Sequence, residues 1–325
     1  MKMHYAAAAI LGALALFVAP LSSAQPNDKV ASRAVNVWSD GTRMSGNLFY
    51  PKDAKEGDKF PAILLCHGWG GVKEHLNRTY APRFAAGGFV VLTIDYRGWG
   101  ESDSRLVMHE PMPKRDADGN VTVKVQAIRE LVDPFDQLED IRNAINFLEG
   151  EPMVNVDRIG LWGSSFGGGL VLQTAVNDPR VKCIVDQVGA VNARDAAIQP
   201  YLNSGGLAGN HAMEIKRSRG EAPAVPQGEN VFPNLRGTPH LERFARFVPV
   251  DEAHKLKVPI LIIDAENEEL FDRHQHGEKV YNIVKDKVPA KYHVEPEIQH
   301  YGIYQARYVQ GADLALAWYK EHLQK

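Results

Sequence analysis

Five apolar runs in which polar residues hardly alternate constrain the fold of this chain most strongly. They are Pro61 to Cys66, Phe89 to Asp95, Arg158 to Trp162, Val181 to Val188 and Pro259 to Asp264. A strand covered on both faces needs apolar side chains on both sides, whereas a strand with one wet face alternates. The runs therefore predict buried strands of a parallel sheet.

Helix-like stretches separate these runs. Asp133 can cap a helix with Pro134 at its first position, and apolar residues then recur on one face as far as Leu148. Further helices are predicted directly after Phe166 and at the C-terminus. Strands that alternate with helices predict an α/β fold with a doubly wound, mostly parallel sheet.

A hairpin is predicted ahead of these runs. Arg33 to Trp38 and Met44 to Tyr50 have strand-like composition, and the turn pair Asp40-Gly41 lies between them.

Two long polar excursions interrupt the alternation, Glu101 to Val132 and a second from about 189 to 253. Loops of this length in a compact domain usually act as lids or binding loops. We interpret the second excursion as a cap over the strand ends. The alternative is a solvent-exposed insertion without a role.

The N-terminus has the pattern of an export signal. An apolar run, Ala6 to Pro20, follows Lys2 and precedes the small residues Ser22 and Ala24. The run is shorter than the ~20 apolar residues that a membrane span needs. Residues 1–24 are therefore predicted to be a signal peptide. The mature chain, from 25 onward, is expected in the periplasm or outside the cell, without a stable membrane span.

The net charge and the two cysteines limit which partners and which covalent links the chain is expected to have. The 37 basic and 40 acidic residues give a net charge of −3, which argues against nucleic acid as a partner. Cys66 and Cys183, the only cysteines, lie in apolar strand-like runs. We expect two buried free thiols, because cysteine is often buried and disulfide geometry is demanding.

The run Gly163-Ser164-Ser165-Phe166-Gly167 follows one predicted strand and begins a predicted helix. Alone, such a pentapeptide is also typical of an ordinary Gly/Ser turn. A strand that turns abruptly into a helix crowds its own backbone, and small glycines leave room for the residue between them. This context predicts a nucleophile elbow with Ser165 as the nucleophile.

A serine hydroxyl needs a base within reach. His300 fits best, because it lies in a loop after the last predicted strand and before the final helix. The competing His293 lies inside the preceding strand-like run, where packing or solvent exposure is the better account.

The base needs a carboxylate that fixes its tautomer. We favour Glu268, which lies in the loop after the strand that ends near Asp264 and completes the order serine, acid, histidine. Glu269 and Asp264 stay open as alternatives, and Asp186 is a more remote one. Glu268 could also belong to an ordinary solvated acidic loop.

Acyl transfer also needs donors for a developing oxyanion. The turn His67-Gly68-Trp69-Gly70-Gly71 follows a predicted central strand. Its glycines allow backbone N–H groups to approach a substrate, so the N–H groups of Trp69 and Phe166 are the expected pair. The alternative is a tight structural turn.

Together these segments resemble the α/β-hydrolase superfamily. The similarity rests on His67 to Gly71, Asp95 to Ser102, Gly163 to Gly167, Pro259 to Glu268 and His300-Tyr301. It is strongest to the dienelactone-hydrolase-like, acetyl-xylan-esterase-like and prolyl-peptidase-like branches. The resemblance implies an α/β-hydrolase fold with a cap insertion.

The resemblance extends from about Pro61 to the C-terminus, without the cap, and has two departures. Family members usually have aspartate where Glu268 stands. Dienelactone hydrolases carry a cysteine nucleophile, so Ser165 argues against that activity.

The resemblance implies a serine hydrolase that cleaves small-molecule carboxylic esters without a cofactor. Ser165 would attack the carbonyl, His300 would take and return the proton, and water would release the acid from the acyl-enzyme.

A prolyl or aminoacyl peptidase would use the same machinery, but such relatives usually carry an additional propeller or sandwich domain. A non-catalytic binding protein is a third possibility, which the complete order of serine, acid and histidine opposes.

A metal site from Glu269, Asp272, His274 and His276 is a fourth possibility. On a helix, His274 and His276 would point to nearly opposite faces, so solvated charge is the better account.

Overall fold

The structure is a computed structural model that describes residues 28–195, 206–228 and 235–324. The predicted signal peptide, 1–24, lies outside the described residues, as do two segments of the second excursion. In the described ranges, no helix is both long enough and apolar enough to span a membrane.

An eight-stranded sheet forms the centre of the molecule. In the described part of the chain, strands β1 to β12 are Val30–Ser39, Thr42–Pro51, Phe60–Cys66, Val90–Ile94, Arg105–Met108, Val125–Ile128, Leu131–Val132, Val154–Ser164, Val181–Gln187, Thr238–Pro239, Ile260–Ala265 and Ala290–Glu295. The order across the large sheet is β1-β2-β4-β3-β8-β9-β11-β12. Its strands are parallel except β2, which pairs antiparallel with β1 and β4. Each of the five apolar runs is a strand of this sheet, which confirms the predicted α/β class.

Helices cover both faces of the sheet. In chain order, the described helices α1 to α9 are Lys73–Asn77, Tyr80–Ala86, Pro134–Gly150, Phe166–Asn177, Gly206–Ser218, Leu241–Ala245, Pro249–Glu252, Gly277–Val284 and Tyr308–Leu323. Short 3₁₀ turns occupy Ala253–Lys255, Arg273–Gln275 and His300–Tyr304. One core includes Ile141, Leu170 and Val280 from α3, α4 and α8, and the other includes Phe84 and Tyr319 from α2 and α9. The sheet is therefore doubly wound, as predicted.

The N-terminal hairpin is also confirmed. β1 and β2 pair along their whole length, and the turn residues Asp40 and Gly41 have φ values of 47° and 76°. Positive φ at both positions is the geometry that suits the twist of a two-residue hairpin.

The two cysteines are buried free thiols, as predicted. Cys66 lies at the end of β3 and Cys183 lies in β9. Burial raises the pKa of the Cys66 thiol to about 12 and also raises that of Cys183. Both sulfurs therefore stay protonated at neutral pH.

The two excursions lie against each other. The first contains β5 and β6, which pair as a separate hairpin, and β7, which pairs with β10 of the second. The Gln126 side chain also donates a hydrogen bond to Gln227, at 2.7 Å. The described part of the second excursion includes α5 and α6, and its role as a cap stays a prediction.

The N-terminus of helix α3 tests the predicted role of Asp133 as a helix cap. The Asp133 carboxylate accepts hydrogen bonds from the N–H groups of Phe135 (3.1 Å) and Asp136 (3.3 Å), and it also pairs with Arg243. We expect Asp133→Ala to lower the free energy of unfolding by about 1–2 kcal/mol, because two helix donors lose their acceptor. Asp133→Asn, which retains a capping oxygen, should cost less. Urea unfolding measures both, and equal losses in the two variants would contradict the capping role.

Candidate active site

Ser165 lies at an abrupt turn between the central strand β8 and helix α4. β8 ends at Ser164 and α4 begins at Phe166, so Ser165 alone joins the two elements. Its φ of 57° and ψ of −126° are unusual for a residue with a side chain. The Ser165 N–H donates to the Gln187 carbonyl of β9 at 2.9 Å, which helps to hold this conformation.

The flanking glycines are required by space. A Cβ on Gly163 would lie 2.1 Å from the carbonyl oxygen of Gly167, and a Cβ on Gly167 would lie 2.3 Å from the carbonyl oxygen of Cys66. No side chain fits at such distances. The pentapeptide is thus a strand, a tight turn and a helix, as its sequence context predicted.

The structure brings Ser165, His300 and Glu268 into one hydrogen-bonded line. His300 Nε2 lies 3.1 Å from Ser165 Oγ, and His300 Nδ1 lies 2.8 Å from Glu268 Oε2. The side chains of His300 and Glu268 are each only 2 % exposed. Because a carboxylate can only accept, Nδ1 carries the proton and Nε2 is left to accept from the serine hydroxyl.

The other acids considered from the sequence have different partners. Glu269 Oε2 accepts the main-chain N–H of His300 at 2.8 Å, so the two consecutive glutamates bind the same residue at different atoms. Asp264 is buried and accepts from the Tyr292 hydroxyl at 3.0 Å. Asp186 is also buried, and burial raises its pKa well above the ordinary value. Among these acids, Glu268 is the one that binds the imidazole.

His293 lies apart from this line. It is half-buried in β12, and its Nε2 lies 2.9 Å from Glu295 Oε2. Its position within a strand is the one that the sequence indicated.

The turn after β3 lies directly against the nucleophile. A Cβ on Gly68 would approach the Ser165 Cβ to 2.9 Å, so this turn needs a glycine there. Trp69 follows Gly68, and its ring packs against Phe166 with centroids 6.2 Å apart. Phe166 is the first residue of α4, where an N–H has no acceptor within its own helix. Trp69 and Phe166 thus flank Ser165, and their role as oxyanion donors stays a prediction.

A packed layer behind the base was not identified from the sequence. The Phe271 ring meets His300 edge to face at 5.6 Å and stacks on His276 at 4.2 Å. His276 is buried; it accepts from the Val191 N–H at 3.0 Å and its Nε2 lies 3.2 Å from Asp195. Burial lowers the pKa of His276 to about 4, so it is neutral near pH 7. No motif marks these residues, because they meet only in the folded chain.

The metal site considered from the sequence does not assemble. His274 Nδ1 lies 2.5 Å from Glu278, whereas His276 is buried beside Asp195 and Glu269 binds the His300 main chain. Asp272 accepts from the His274 N–H at 3.0 Å, so these side chains have separate partners. The interpretation as solvated charge fits the exposed His274, but it is wrong for His276, which is buried and neutral.

Across the described ranges, Glu214, His240 and Glu242 form the one cluster with ligand atoms close enough to hold a metal ion. Arg217 pairs with Glu214 at 2.6 Å, and Arg246 pairs with Glu242 at 3.0 Å. Because arginines already neutralise both carboxylates, ion pairing accounts for this cluster.

Comparisons with known proteins agree with this fold. Residues 40–218, more than half of the chain, match the X-Pro dipeptidyl-peptidase (S15) family. An uncharacterized 31.7 kDa protein of Escherichia coli, encoded in the traX-finO intergenic region, is 29% identical over 289 residues, which cover 82% of this chain and 92% of that protein. The thiohydrolase aneE of Aspergillus aculeatus is 30% identical over 166 residues, which cover 51% of this chain and 44% of that protein.

A solved structure shares the fold. The acetyl xylan esterase from Paenibacillus sp. R4 superposes with a TM-score of 0.61 at 19% identity, covering 92% of this chain and 86% of that one. At this identity the similarity establishes the architecture alone.

Asp264 supplies a pH-dependent test. Burial raises the pKa of its carboxyl from the ordinary value of 3.8 to about 7, so folding favours the neutral form. This contribution to stability is fully present below about pH 4 and is lost as the pH rises through about 7. Asp264→Asn is neutral at every pH and keeps an acceptor for Tyr292. We expect it to exceed the parent in free energy of unfolding at pH 8 by on the order of 2 kcal/mol, and by much less at pH 5.

Urea unfolding at the two pH values measures this difference. A gap between Asp264→Asn and the parent that is the same at pH 5 and pH 8 would contradict the assignment.

Proposed function

Because the chain belongs to the X-Pro dipeptidyl-peptidase (S15) family of the α/β-hydrolase superfamily, we propose that it is a serine hydrolase that cleaves small-molecule carboxylic esters. The proposal rests on the hydrogen-bonded line from Ser165 through His300 to Glu268, with distances of 3.1 and 2.8 Å. These are the nucleophile, base and acid of a catalytic triad in reaction geometry.

The reaction would follow from the positions of these atoms. His300 Nε2 takes the hydroxyl proton as Ser165 Oγ bonds to the ester carbonyl carbon, and Glu268 stabilises the imidazolium. The N–H groups of Trp69 and Phe166 bind the negative oxygen of the tetrahedral intermediate. The C–O bond to the alcohol then breaks, and His300 returns the proton to the leaving alkoxide. Water repeats both steps on the acyl-enzyme and releases the acid.

The cysteines offer no competing nucleophile. Burial raises the pKa of both thiols, and neither sulfur is exposed to a substrate. A thiolate mechanism of the dienelactone-hydrolase kind therefore has no support, which leaves Ser165.

The choice of an ester, rather than a thioester or a peptide, as the substrate is a more specific part of the proposal. The matched family is described as a peptidase family, whereas the similar proteins above include an esterase and a thiohydrolase. All of these reactions pass through a tetrahedral intermediate at an acyl carbon, so the triad alone does not distinguish them. We favour an ester because its carbonyl lacks the resonance of an amide and an alkoxide leaves more readily than an amide anion. Ester cleavage therefore needs less from the site.

The alternative hypothesis, a non-catalytic binding protein, explains fewer of the observations. The backbone conformation of Ser165, with φ of 57° and ψ of −126°, is of a kind that costs on the order of 1–3 kcal/mol and persists only where the surrounding structure fixes it, as at many active sites. A binding protein would have no evident use for a strained serine within reach of a buried histidine and glutamate.

The activity is tested with purified mature protein, p-nitrophenyl esters of increasing chain length, a thioester and prolyl and aminoacyl anilides. We expect ester turnover to exceed anilide turnover, and Ser165→Ala to lower kcat by about 10³-fold or more. His300→Ala should lose a comparable factor, and Glu268→Gln less. Ester hydrolysis that survives Ser165→Ala would refute the mechanism, and faster anilide turnover would support the peptidase.

We also propose that the protein is exported to the periplasm or secreted. The support is the N-terminal pattern of Lys2, the apolar run Ala6 to Pro20 and the small residues Ser22 and Ala24. Expression in a bacterial host followed by fractionation and N-terminal sequencing should recover a mature chain that begins near Gln25 outside the cytoplasm. An uncleaved chain in the cytoplasm would refute this proposal.

A further inference from the structure

A buried chain of hydrogen bonds lies beneath the nucleophile. Ser164, next to Ser165, has its Oγ 2.8 Å from the Tyr304 hydroxyl and accepts from the Gln187 side-chain amide at 3.1 Å. The same amide donates to the Tyr80 hydroxyl at 3.0 Å. Ser164, Gln187 and Tyr80 are each at most 2 % exposed. The mechanism described above uses none of these side chains.

These buried hydrogen bonds join strand β8, which leads into the nucleophile, to the 3₁₀ turn that begins with the base. Ser164 is the last residue of β8, directly before Ser165, whereas Tyr304 ends the 3₁₀ turn that begins at His300. Ser164 and Tyr304 are 140 positions apart in sequence. Their hydrogen bond therefore links the serine and histidine elements independently of the reactive contact between Ser165 and His300.

Gln187 holds both serines of the elbow. Its main-chain carbonyl accepts from the Ser165 N–H at 2.9 Å, and its side chain donates to Ser164. Burial raises the pKa of the Tyr304 hydroxyl, so that group stays protonated and available as a donor. A residue with the strained backbone of Ser165 keeps its conformation only when its surroundings fix it from several sides.

We propose that Tyr304 is a positioning residue which, through its hydrogen bond to Ser164, holds the Ser165 hydroxyl within reach of His300. The inference rests on the proposed function and deepens it. The Tyr304 ring meets the His300 ring edge to face, with centroids 6.1 Å apart, but its hydroxyl touches neither the substrate nor the reacting atoms. It acts on the distance between nucleophile and base, to which rates of this kind are sensitive.

The test uses Tyr304→Phe, which keeps the ring and removes one hydroxyl. With a p-nitrophenyl ester, kcat should fall by about 10-fold while KM stays within about 2-fold, because substrate binding is untouched. The rate at which a fluorophosphonate modifies Ser165 should fall by a similar factor. Tyr308→Phe is the matched control, since its ring also contacts Tyr80, at 5.6 Å, but it takes no part in the hydrogen-bond chain. Tyr308→Phe should therefore keep the parental kcat and the parental rate of modification by the fluorophosphonate.

Ser164→Ala removes the other partner of the same bond and keeps the test valid if Tyr304→Phe folds poorly. Its losses should be at least as large as those of Tyr304→Phe, because Ser164→Ala also removes the acceptor of the Gln187 amide. The double variant should be no more than about 2-fold slower than the slower single variant. Urea unfolding of each variant separates loss of folded protein from loss of rate per folded molecule.

Two outcomes would overturn the inference: a parental fluorophosphonate rate in both folded single variants, or losses that multiply in the double variant. If the parent protein itself does not react at Ser165, the proposed function fails and this inference fails with it. A reactive parent with equally reactive variants refutes the positioning role alone.

Discussion

The close approach of the β8–α4 turn to its neighbours is the constraint on which the site depends. Gly163 and Gly167 bring backbone atoms to distances that exclude any side chain, and this contact forces Ser165 into its unusual conformation. The turn is possible because β8 lies between β3 and β9, which supply the Gly68 turn on one side and the Gln187 carbonyl on the other. The central position of the strand therefore determines where the nucleophile lies.

The base and the acid reach the nucleophile because carboxyl ends of parallel strands share one edge of a sheet. Glu268 follows β11 and His300 follows β12, which pair with each other beside β9. Two consecutive glutamates then hold His300 at different atoms. Glu268 binds the imidazole, and Glu269 binds the main-chain N–H of the same histidine. Tyr304 and Gln187 brace the serine side of the contact through Ser164.

Strong local patterns could be interpreted from the sequence alone. Buried parallel strands are apolar throughout, and a capped helix begins at Asp133, so these elements were predictable. The 5- to 8-residue helices α1, α2 and α8 were not predicted, because stretches so short carry little periodicity. The two strands of the β5–β6 hairpin are mostly apolar, but they are only four residues long and largely exposed within a polar excursion, so no core pattern predicts them. The contacts of Phe271 with His300 and of Tyr304 with Ser164 join residues that are distant in sequence, which no motif encodes.

The residue that reacts with a fluorophosphonate tests the central claim most directly. Peptide mapping by mass spectrometry should find a single adduct, on Ser165 and not on the adjacent Ser164. His300→Ala should slow its formation by about 10³-fold or more, because the hydroxyl then has no base. An adduct on another residue, or undiminished labelling of Ser165 in His300→Ala, would contradict the account.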